Sequence, residues 1–167
     1  YNQNSLLDVC YHPGLNIVVG DVRNEELLKS EIKKHEIIVP LAAIVGAPAC
    51  DRDQLLAMQV NQIQIENIAQ WISKDQMILY PVTNSGYGIG EKDSYCTEET
   101  ALRPISEYGR TKVKIEKAFL KRGNAVTFRL ATVFGMSPRM RMDLLVNDFV
   151  YRAVKDRSLV LFEEHFR

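Results

Sequence analysis

Tyr108 and Lys112 are the first residues whose types and spacing suggest catalysis, because they stand four positions apart in a segment with a helical pattern. Side chains at positions i and i+4 lie on one face of a helix, so the Lys112 ammonium is expected to act on the Tyr108 phenol. A nearby cation favours the phenolate and lowers a tyrosine pKa from about 10 towards neutrality. Such a tyrosine can remove a proton from an alcohol while a hydride leaves the same carbon. The pattern YxxxK also arises by chance, so whether it indicates catalysis depends on the residues around it.

Hydroxyl groups follow a predicted strand upstream of this helix. The strand at 77–80 leads into a glycine- and hydroxyl-rich run that extends to residue 88, with Thr83 just after the strand. Parallel α/β sheets bind ligands at the carboxyl ends of their strands. Taken alone, Thr83 fits a turn residue. Beside the YxxxK helix, it is expected to hydrogen-bond the same substrate oxygen as Tyr108.

The elements that must position these residues alternate between strands and helices. Apolar runs predict strands at 16–20, 37–41, 77–80, 125–130 and 159–162, and helical spacing and capping residues predict helices at 25–35, 51–72, 107–122 and 142–156. The loop at 81–106 is longer than most connections, and such loops are usually functional. Nearly continuous apolar strands with intervening helices indicate one α/β domain, a doubly wound parallel sheet of the Rossmann type with helices on both faces.

Composition excludes several function classes. The 167 residues are 46% hydrophobic and 25% charged, with 21 basic and 21 acidic side chains, so a globally basic nucleic-acid binder is excluded. No apolar run approaches the ~20 residues that span a bilayer, so we expect no membrane insertion. The first five residues show no secretion signal. The three cysteines form no CxxC pair, which favours a reducing cytoplasm and predicts no metal site.

Several stretches, taken in order, resemble the extended short-chain dehydrogenase/reductases that act on nucleotide-activated sugars. The matching stretches are 20–23, 40–43, 60–61, 83–88, 104–112 and 129–135. Ordered matches across nearly the whole chain are more specific than any single one. The resemblance implies that Tyr108 is the general acid/base, that Lys112 lowers its pKa and holds the nicotinamide ribose, and that Thr83 orients the substrate.

The same resemblance implies the remaining binding residues. NAD would contact Asp21, Val22, Leu41, Ala42, Ala43, Asn61, Tyr108, Lys112 and Leu130. Asp21 and Val22 would border the adenine, and Asn61 would brace the active-site strand. The segment 41–43 would line the cofactor, although plain strand-end packing explains it equally well. The nucleotide sugar would contact Thr83, Asn84, Ser85, Thr132 and Arg141, where Thr132 replaces an asparagine found in many relatives.

The residues after Thr83 narrow the reaction. Sugar dehydratases of this family carry Asp-Glu there, whereas this chain has Asn84 and Ser85, neither of which titrates usefully. Keto-sugar epimerase-reductases carry a cysteine in place of Ser85. What remains is hydride transfer at a sugar carbon. The runs at 84–93, 96–109 and 126–149 resemble bacterial enzymes that oxidise C4 of GDP-D-glycero-α-D-manno-heptose in capsule biosynthesis. Two alternatives stay open: a nucleotide-sugar 4-epimerase, and a fragment or binding module without catalysis.

The resemblance also predicts how much of such an enzyme the chain covers. A glycine-rich GxxGxxG phosphate-binding turn should precede Tyr1, and the sugar-binding part should continue beyond Arg167. Residues 1–167 would then be a partial NAD-binding domain with the start of the substrate region. It would be the middle of a polypeptide of roughly 300 residues. In the strand order 3-2-1-4-5-6, the readable strands would be the third to the sixth. Family members form homo-oligomers, so we expect a dimer or tetramer.

Overall fold

The structure is a computed structural model that describes residues 6–90 and 95–161. The chain divides into two compact units. We call Val19–Ala131 the central unit, and we call Tyr1–Val18 together with Thr132–Arg167 the terminal unit. The residues expected to carry the chemistry, except Thr132 and Arg141, belong to the central unit.

Six α-helices and three β-strands make up the described part of the chain. The helices are α1 (Glu25–Ile32), α2 (Ala47–Arg52), α3 (Gln54–Met58), α4 (Gln64–Trp71), α5 (Glu107–Arg122) and α6 (Leu145–Lys155). The strands are β1 (Ile37–Ile38), β2 (Met77–Thr83) and β3 (Ala125–Leu130). A π-helical segment (Gln59–Ile63) joins α3 to α4, and a 3-10 turn (Asn84–Gly86) follows β2. Only α6 lies in the terminal unit.

Helix α5 has the bounds that the sequence predicted, because both of its ends carry strong local signals. Ser106 is the N-cap, and its Oγ accepts a hydrogen bond from the Gly109 N–H at 3.1 Å. Gly123 ends the helix in the left-handed conformation, with φ of 83°. A residue with a Cβ is strained in that conformation, so glycine is the favoured stop. The predicted helix near residue 25 also begins as expected, with Asn24 Oδ1 capping the Leu27 N–H.

The sheet of the central unit is parallel, with strand order β1-β2-β3. Ile37 is paired with Met77, and the β2–β3 register runs from Ile78 opposite Ala125 to Thr83 opposite Leu130. This arrangement confirms the predicted Rossmann-type parallel sheet, and the three strands are neighbours in the predicted order.

The core of the central unit lies between one face of this sheet and helices α1, α4 and α5. Alternate residues of β2 are buried, and the Tyr80 ring meets Phe119 of α5 edge-on, with 5.0 Å between centroids. The buried core cluster contains Ile32, Ile65, Ile68, Ile72, Ile78, Tyr80, Val82, Ile115 and Phe119. On the other face of the sheet, Phe128 is 44% exposed. The helices of this unit therefore cover one face of its sheet.

Two predicted strands do not form. Residues 16–20 and 159–161 belong to no ladder among the described residues, and Phe162 lies outside them. Val19 is 91% exposed and Val160 is 67% exposed. An apolar run becomes a strand only where a neighbouring strand takes up its backbone hydrogen bonds, and none is paired with these runs. The predicted strand 37–41 is likewise paired only at Ile37 and Ile38.

The predicted continuous helix at 51–72 is also wrong. Asp53 leaves the helical conformation (φ −143°, ψ 83°), and its Oδ1 accepts a hydrogen bond from the Leu56 N–H at 2.9 Å. Aspartate favours such capping positions because its carboxylate satisfies an orphan N–H. The chain therefore stops α2 and starts α3 within one residue. The predicted helix at 142–156 begins later, at Leu145.

A substitution at Phe119 tests how much this core, formed on one face of the sheet, contributes to the free energy of unfolding. Phe119→Ala removes a fully buried ring and is expected to lower the free energy of unfolding by about 3–5 kcal/mol. Leu120→Ala, at the neighbouring and 49% exposed position, is the control and should cost under ~1 kcal/mol. Urea unfolding followed by circular dichroism measures both changes. Equal losses in the two variants would contradict this account of the core.

Candidate active site

Two glycines bring the start of α5 against the turn that follows β2. A Cβ at Gly109 would lie 3.3 Å from the Ser85 carbonyl oxygen, and a Cβ at Gly86 would lie 3.0 Å from Val113 Cγ2. Both distances are tighter than ordinary contacts, so side chains at these positions would separate the two segments. The absence of side chains lets the helix that carries Tyr108 approach the turn that begins at Thr83.

Lys112 ties α5 to β2 through its ammonium. Its side chain is buried, and Nζ donates a hydrogen bond to the Pro81 carbonyl oxygen at 3.1 Å. The same Nζ lies 4.5 Å from the centroid of the Tyr80 ring and 5.9 Å from that of the Tyr108 ring. Burial lowers the pKa of Lys112 to about 8, because a charged ammonium loses hydration there. The structure thus places Tyr108 and Lys112 side by side.

The predicted lowering of the Tyr108 pKa is not what the structure shows. Burial raises the pKa of Tyr108, and the neighbouring Cys50 thiol raises it further. The Lys112 ammonium is directed to the Pro81 carbonyl and the Tyr80 ring rather than hydrogen-bonded to the Tyr108 oxygen. Because its pKa is raised, the phenol is protonated at neutral pH. The spacing of Tyr108 and Lys112 predicts that the two groups lie close together. It does not predict the burial, which decides whether the pKa of Tyr108 is raised or lowered.

Thr83 and Ser85 form a small hydroxyl cluster at the carboxyl end of β2. Thr83 Oγ1 accepts a hydrogen bond from the Ser85 N–H at 3.2 Å and donates to Ser85 Oγ at 3.1 Å. Thr83 thereby caps the 3-10 turn, which agrees with its interpretation as a turn residue. The side chains of Asn84 and Ser85 are exposed. Leu130, expected to contact the cofactor, is the Cα partner of Thr83 in the β2–β3 register.

Asn61 braces a different segment from the one expected. It lies in the π-helical segment, and its amide holds both backbone groups of Ile44: Oδ1 accepts from the Ile44 N–H at 2.8 Å, and Nδ2 donates to the Ile44 carbonyl at 2.9 Å. Cys50 Sγ joins this cluster, donating to the same carbonyl at 3.4 Å. Asn61 therefore fixes the loop after β1, not the active-site strand. Cys50, which raises the pKa of Tyr108, is a site residue that its sequence context does not indicate.

Four of the nine residues expected to bind the cofactor line two recesses, which share Gln64. Asp21 borders a cleft of about 450 Å³, where its carboxylate is paired with Arg23 at 2.7 Å. Hydrogen bonds from Arg23 lower the pKa of Asp21 to about 2. Val22, Leu41 and Ala42 line an apolar groove of about 300 Å³. Ala43, the last member of the predicted segment, is half-buried.

A buried ion pair that the sequence analysis missed holds the long loop. Glu116, one turn beyond Lys112, accepts hydrogen bonds at Oε1 from Thr127 Oγ1 and Arg129 Nε, both at 2.9 Å. Arg129 Nη1 donates to the Glu98 carbonyl at 2.8 Å and to Tyr87 Oη at 3.3 Å. One guanidinium thus joins α5, β3 and two points of the loop. We call this set the Arg129 cluster: Tyr87, Glu98, Glu116, Thr127 and Arg129.

Two expected substrate residues lie in the terminal unit and are described there alone. Thr132 is exposed. Arg141 is ion-paired with Asp143, and its backbone carbonyl accepts a hydrogen bond from Asn147 Nδ2 at 2.9 Å. Asn147 is buried and also caps the Gly135 N–H through Oδ1 at 2.9 Å. These contacts fix the segment before α6, and the substrate role of Thr132 and Arg141 stays a prediction.

Across 6–90 and 95–161, no group of three or more histidine, cysteine, aspartate or glutamate side chains is placed to hold a metal ion. Within the same ranges, no helix combines the length and apolar character needed to cross a bilayer.

Known proteins match both the sequence and the fold. The sequence matches the family described as the RmlD substrate binding domain over residues 14–163. Among solved structures, dTDP-glucose 4,6-dehydratase from Bacillus anthracis in complex with NAD is 22% identical, with a TM-score of 0.74 over 90% of this chain and 48% of that chain. UDP-glucuronic acid 4-epimerase from Bacillus cereus, in complex with UDP-glucuronic acid and NAD, is 21% identical, with a TM-score of 0.73 over 90% and 49%.

A third similar structure is the Bordetella bronchiseptica enzyme WbmH in complex with NAD⁺. It is 24% identical, with a TM-score of 0.70 over 87% of this chain and 49% of that chain. The chain therefore shares the fold of these proteins and spans about half of their length.

The hydrogen bonds of the Arg129 cluster predict that the conformation of the loop depends on the Arg129 guanidinium, which donates to several acceptors at once. Arg129→Lys keeps the charge but cannot bridge Glu116, Tyr87 and the Glu98 carbonyl together. The loop amides of Thr97, Thr100 and Arg103, which are hydrogen-bonded within the loop or to Gly86, should then exchange with solvent roughly tenfold faster. Hydrogen exchange followed by mass spectrometry or NMR measures this.

Arg110→Lys is the matched control for that experiment. Arg110 is exposed, and among the described residues its ion-pair partner is Glu107 of its own helix, at 3.1 Å. Its replacement should leave exchange in the loop unchanged. Unchanged exchange in Arg129→Lys as well would show that the loop does not depend on this cluster.

Proposed function

The chain belongs to the family described as the RmlD substrate binding domain, and on that premise we propose that it is part of an NAD-dependent oxidoreductase acting on a nucleotide-activated sugar. The observation that carries the proposal is the placement of Tyr108 and Lys112 beside the end of β2, where Lys112 is hydrogen-bonded to Pro81 and Thr83 follows two residues later. The similar dehydratase and epimerase structures were solved with NAD bound, which supports the choice of cofactor.

We assign the proton transfer to Tyr108. In the structure its phenol is half-buried and its pKa is raised, so the resting group is a neutral acid. To remove a proton from a sugar hydroxyl, it must first lose its own, and positive charge near its oxygen favours that loss. Lys112 provides part of this charge. The Thr83 hydroxyl, turned to Ser85 here, is the second group that would hydrogen-bond the sugar oxygen.

The residues around the two recesses fit a dinucleotide. The groove beside Val22 and Leu41 is apolar, as an adenine or nicotinamide ring requires. Gln64 lines both recesses, so the two can accommodate adjacent parts of one ligand. Lys112 Nζ, bonded to a single carbonyl there, retains donors for a ribose. NAD, when bound, supplies the hydride acceptor and a positively charged ring.

The substrate that we propose is a GDP-activated heptose oxidised at C4. Its support is the resemblance of the loop and strand sequences to such enzymes, together with the residues at positions 84 and 85. Asn84 and Ser85 bring no carboxylate to the turn, so the chain has no acid and base there for expelling water. The 4-epimerase alternative needs the same hydride removal and differs only in the return of the hydride to the other face of the sugar.

The setting of this activity belongs to the same proposal. We infer a cytoplasmic homo-oligomer, dimer or tetramer, without nucleic-acid or membrane partners, in which residues 1–167 form a partial NAD-binding domain of a longer enzyme. The neutral net charge supports the lack of a nucleic-acid partner, and the coverage of about half of each similar structure supports a partial domain of a longer enzyme. The experiments below therefore use the full-length polypeptide that carries these residues.

An NMR time course of the full-length polypeptide with NAD⁺ and GDP-heptose separates the activities. Oxidation should give a 4-keto sugar and one NADH for each sugar converted. An inverted C4 hydroxyl without accumulation of NADH would instead identify a 4-epimerase. Consumption of neither sugar nor cofactor, with UDP- and dTDP-sugars equally inert, would contradict an oxidoreductase and favour a binding module.

Tyr108→Phe tests the proton transfer. Removal of the phenolic hydroxyl is expected to lower turnover by about 10²–10⁴-fold, the usual contribution of a positioned acid/base. Tyr11→Phe is the control, since Tyr11 is 89% exposed and should be silent. Steady-state NADH formation measures both variants. Full turnover by Tyr108→Phe would remove this residue from the mechanism.

A further inference from the structure

Tyr80 is the largest fully buried side chain in the described part of the chain. It lies on β2, three residues before Thr83, and its ring packs edge-on against Phe119 of α5, at an interplanar angle of 77°. This contact fixes the orientation of the ring. One face of the ring is directed to the ammonium of Lys112, whose Nζ lies 4.5 Å from the ring centroid.

The hydroxyl of Tyr80 contributes little to this arrangement. Its oxygen is buried and has no hydrogen-bond partner among the described residues. Burial and the nearby Tyr108 raise the pKa of Tyr80 far above its ordinary value, so the group is a neutral phenol throughout the physiological range. A buried hydroxyl without a partner costs stability. What the side chain offers to its surroundings is therefore the face of an aromatic ring.

We propose that the ring of Tyr80 is a positioning element for catalysis, a platform whose π-face holds the Lys112 ammonium in place and keeps it charged beside Tyr108. The inference rests on the proposed function for its catalytic meaning. Tyr80 is a positioning residue rather than a catalytic one, because it acts through Lys112 and not on the substrate.

The need for such a platform follows from the surroundings of Lys112. The ammonium is buried and has one hydrogen-bond acceptor in the described structure, the Pro81 carbonyl. A desolvated cation over an aromatic face gains electrostatic attraction from the ring quadrupole, more than an exposed pair does. The Tyr108 ring is further away, at 5.9 Å, so Tyr80 is the stronger aromatic partner.

The titratable groups around Lys112 do not replace the ring. Tyr108 on its own helix and Tyr80 on β2 are neutral at pH 7, and Cys50 from α2, whose pKa burial also raises, is a neutral thiol. Glu116, four residues further along α5, is engaged by Arg129 and Thr127. Among the described groups near this ammonium, none is an unpaired carboxylate. The carbonyl and the ring are therefore the groups that stabilise its charge.

The test weakens the π-face without changing its shape. Tyr80 in the full-length polypeptide is replaced by phenylalanine and by a ring-fluorinated phenylalanine, which withdraws electrons from the same ring. Lysine labelled with ¹³C at Cε reports the Lys112 pKa by NMR titration, and Lys112→Arg identifies its signal. Tyr80→Phe should leave this pKa unchanged. The fluorinated ring should lower it by about one unit, a tenfold change in proton affinity.

The same analogue at Phe128 is the matched control. Phe128 lies on the opposite face of the sheet, paired with Pro81 in the register, so fluorination there should not move the Lys112 pKa. Turnover adds a second measurement: the alkaline limb of the kcat profile, where Lys112 loses its proton, should move to lower pH with the fluorinated ring at position 80 and stay in place with phenylalanine.

The outcomes separate this inference from the proposed function. An unchanged Lys112 pKa with the fluorinated ring at position 80 would overturn the platform, whatever the activity. A lowered pKa or lost turnover in Tyr80→Phe would also overturn it, because the hydroxyl would then be the acting group. A wild-type protein that turns over no nucleotide sugar would refute the proposed function, while the NMR titration would still decide the contact between ring and ammonium.

Discussion

The hydrogen bond from the Lys112 ammonium to the Pro81 carbonyl is the contact on which the candidate site depends. It joins the helix that carries Tyr108 to the strand that ends at Thr83, and it does so two residues before that end. Helix α5 and β2 are distant in sequence, so local preference cannot set their relative position. Because the ammonium is buried, losing this acceptor would leave a charge with little stabilisation. The bond therefore fixes the position of the Tyr108 phenol relative to Thr83 and the 3-10 turn that follows it.

One face of helix α5 carries both the candidate acid/base and the side chains that hold the helix against the sheet and the loop. Tyr108, Lys112 and Glu116 follow one another at intervals of four, so they share a face of the helix. The Tyr108 phenol lies near Cys50, Lys112 is hydrogen-bonded to β2, and Glu116 is paired with Arg129 of β3, which in turn binds the loop. A shift of the helix along its axis would disturb all three contacts together. This coupling explains how a surface loop of more than twenty residues can present a defined turn beside a buried lysine.

The sequence predicts those parts of the structure that are set by local signals. The ends of α5 follow from Ser106 and Gly123, and the parallel order of β1, β2 and β3 follows from apolar runs separated by helices. The break at Asp53 was missed because aspartate fits both a helical surface and a cap, and only packing decides between them. The roles of Tyr80, Arg129 and Asn61 depend on contacts between residues distant in sequence, which no spacing rule contains. The same holds for the pKa of Tyr108, whose sign is decided by burial.

Burial shifts the pKa values of Tyr108 and Lys112 in opposite directions, and this has a chemical consequence. It lowers the pKa of Lys112 to about 8 and raises that of Tyr108, so each group is shifted towards its neutral form. The free site is therefore an ammonium that loses its proton readily beside a phenol that keeps its own. Further positive charge near Tyr108 would favour loss of the phenol proton. A site of this kind has its acid form ready before any ligand binds, and its base form depends on binding. In the proposed enzyme, a positively charged hydride acceptor bound near Tyr108 would thus favour proton removal from the sugar.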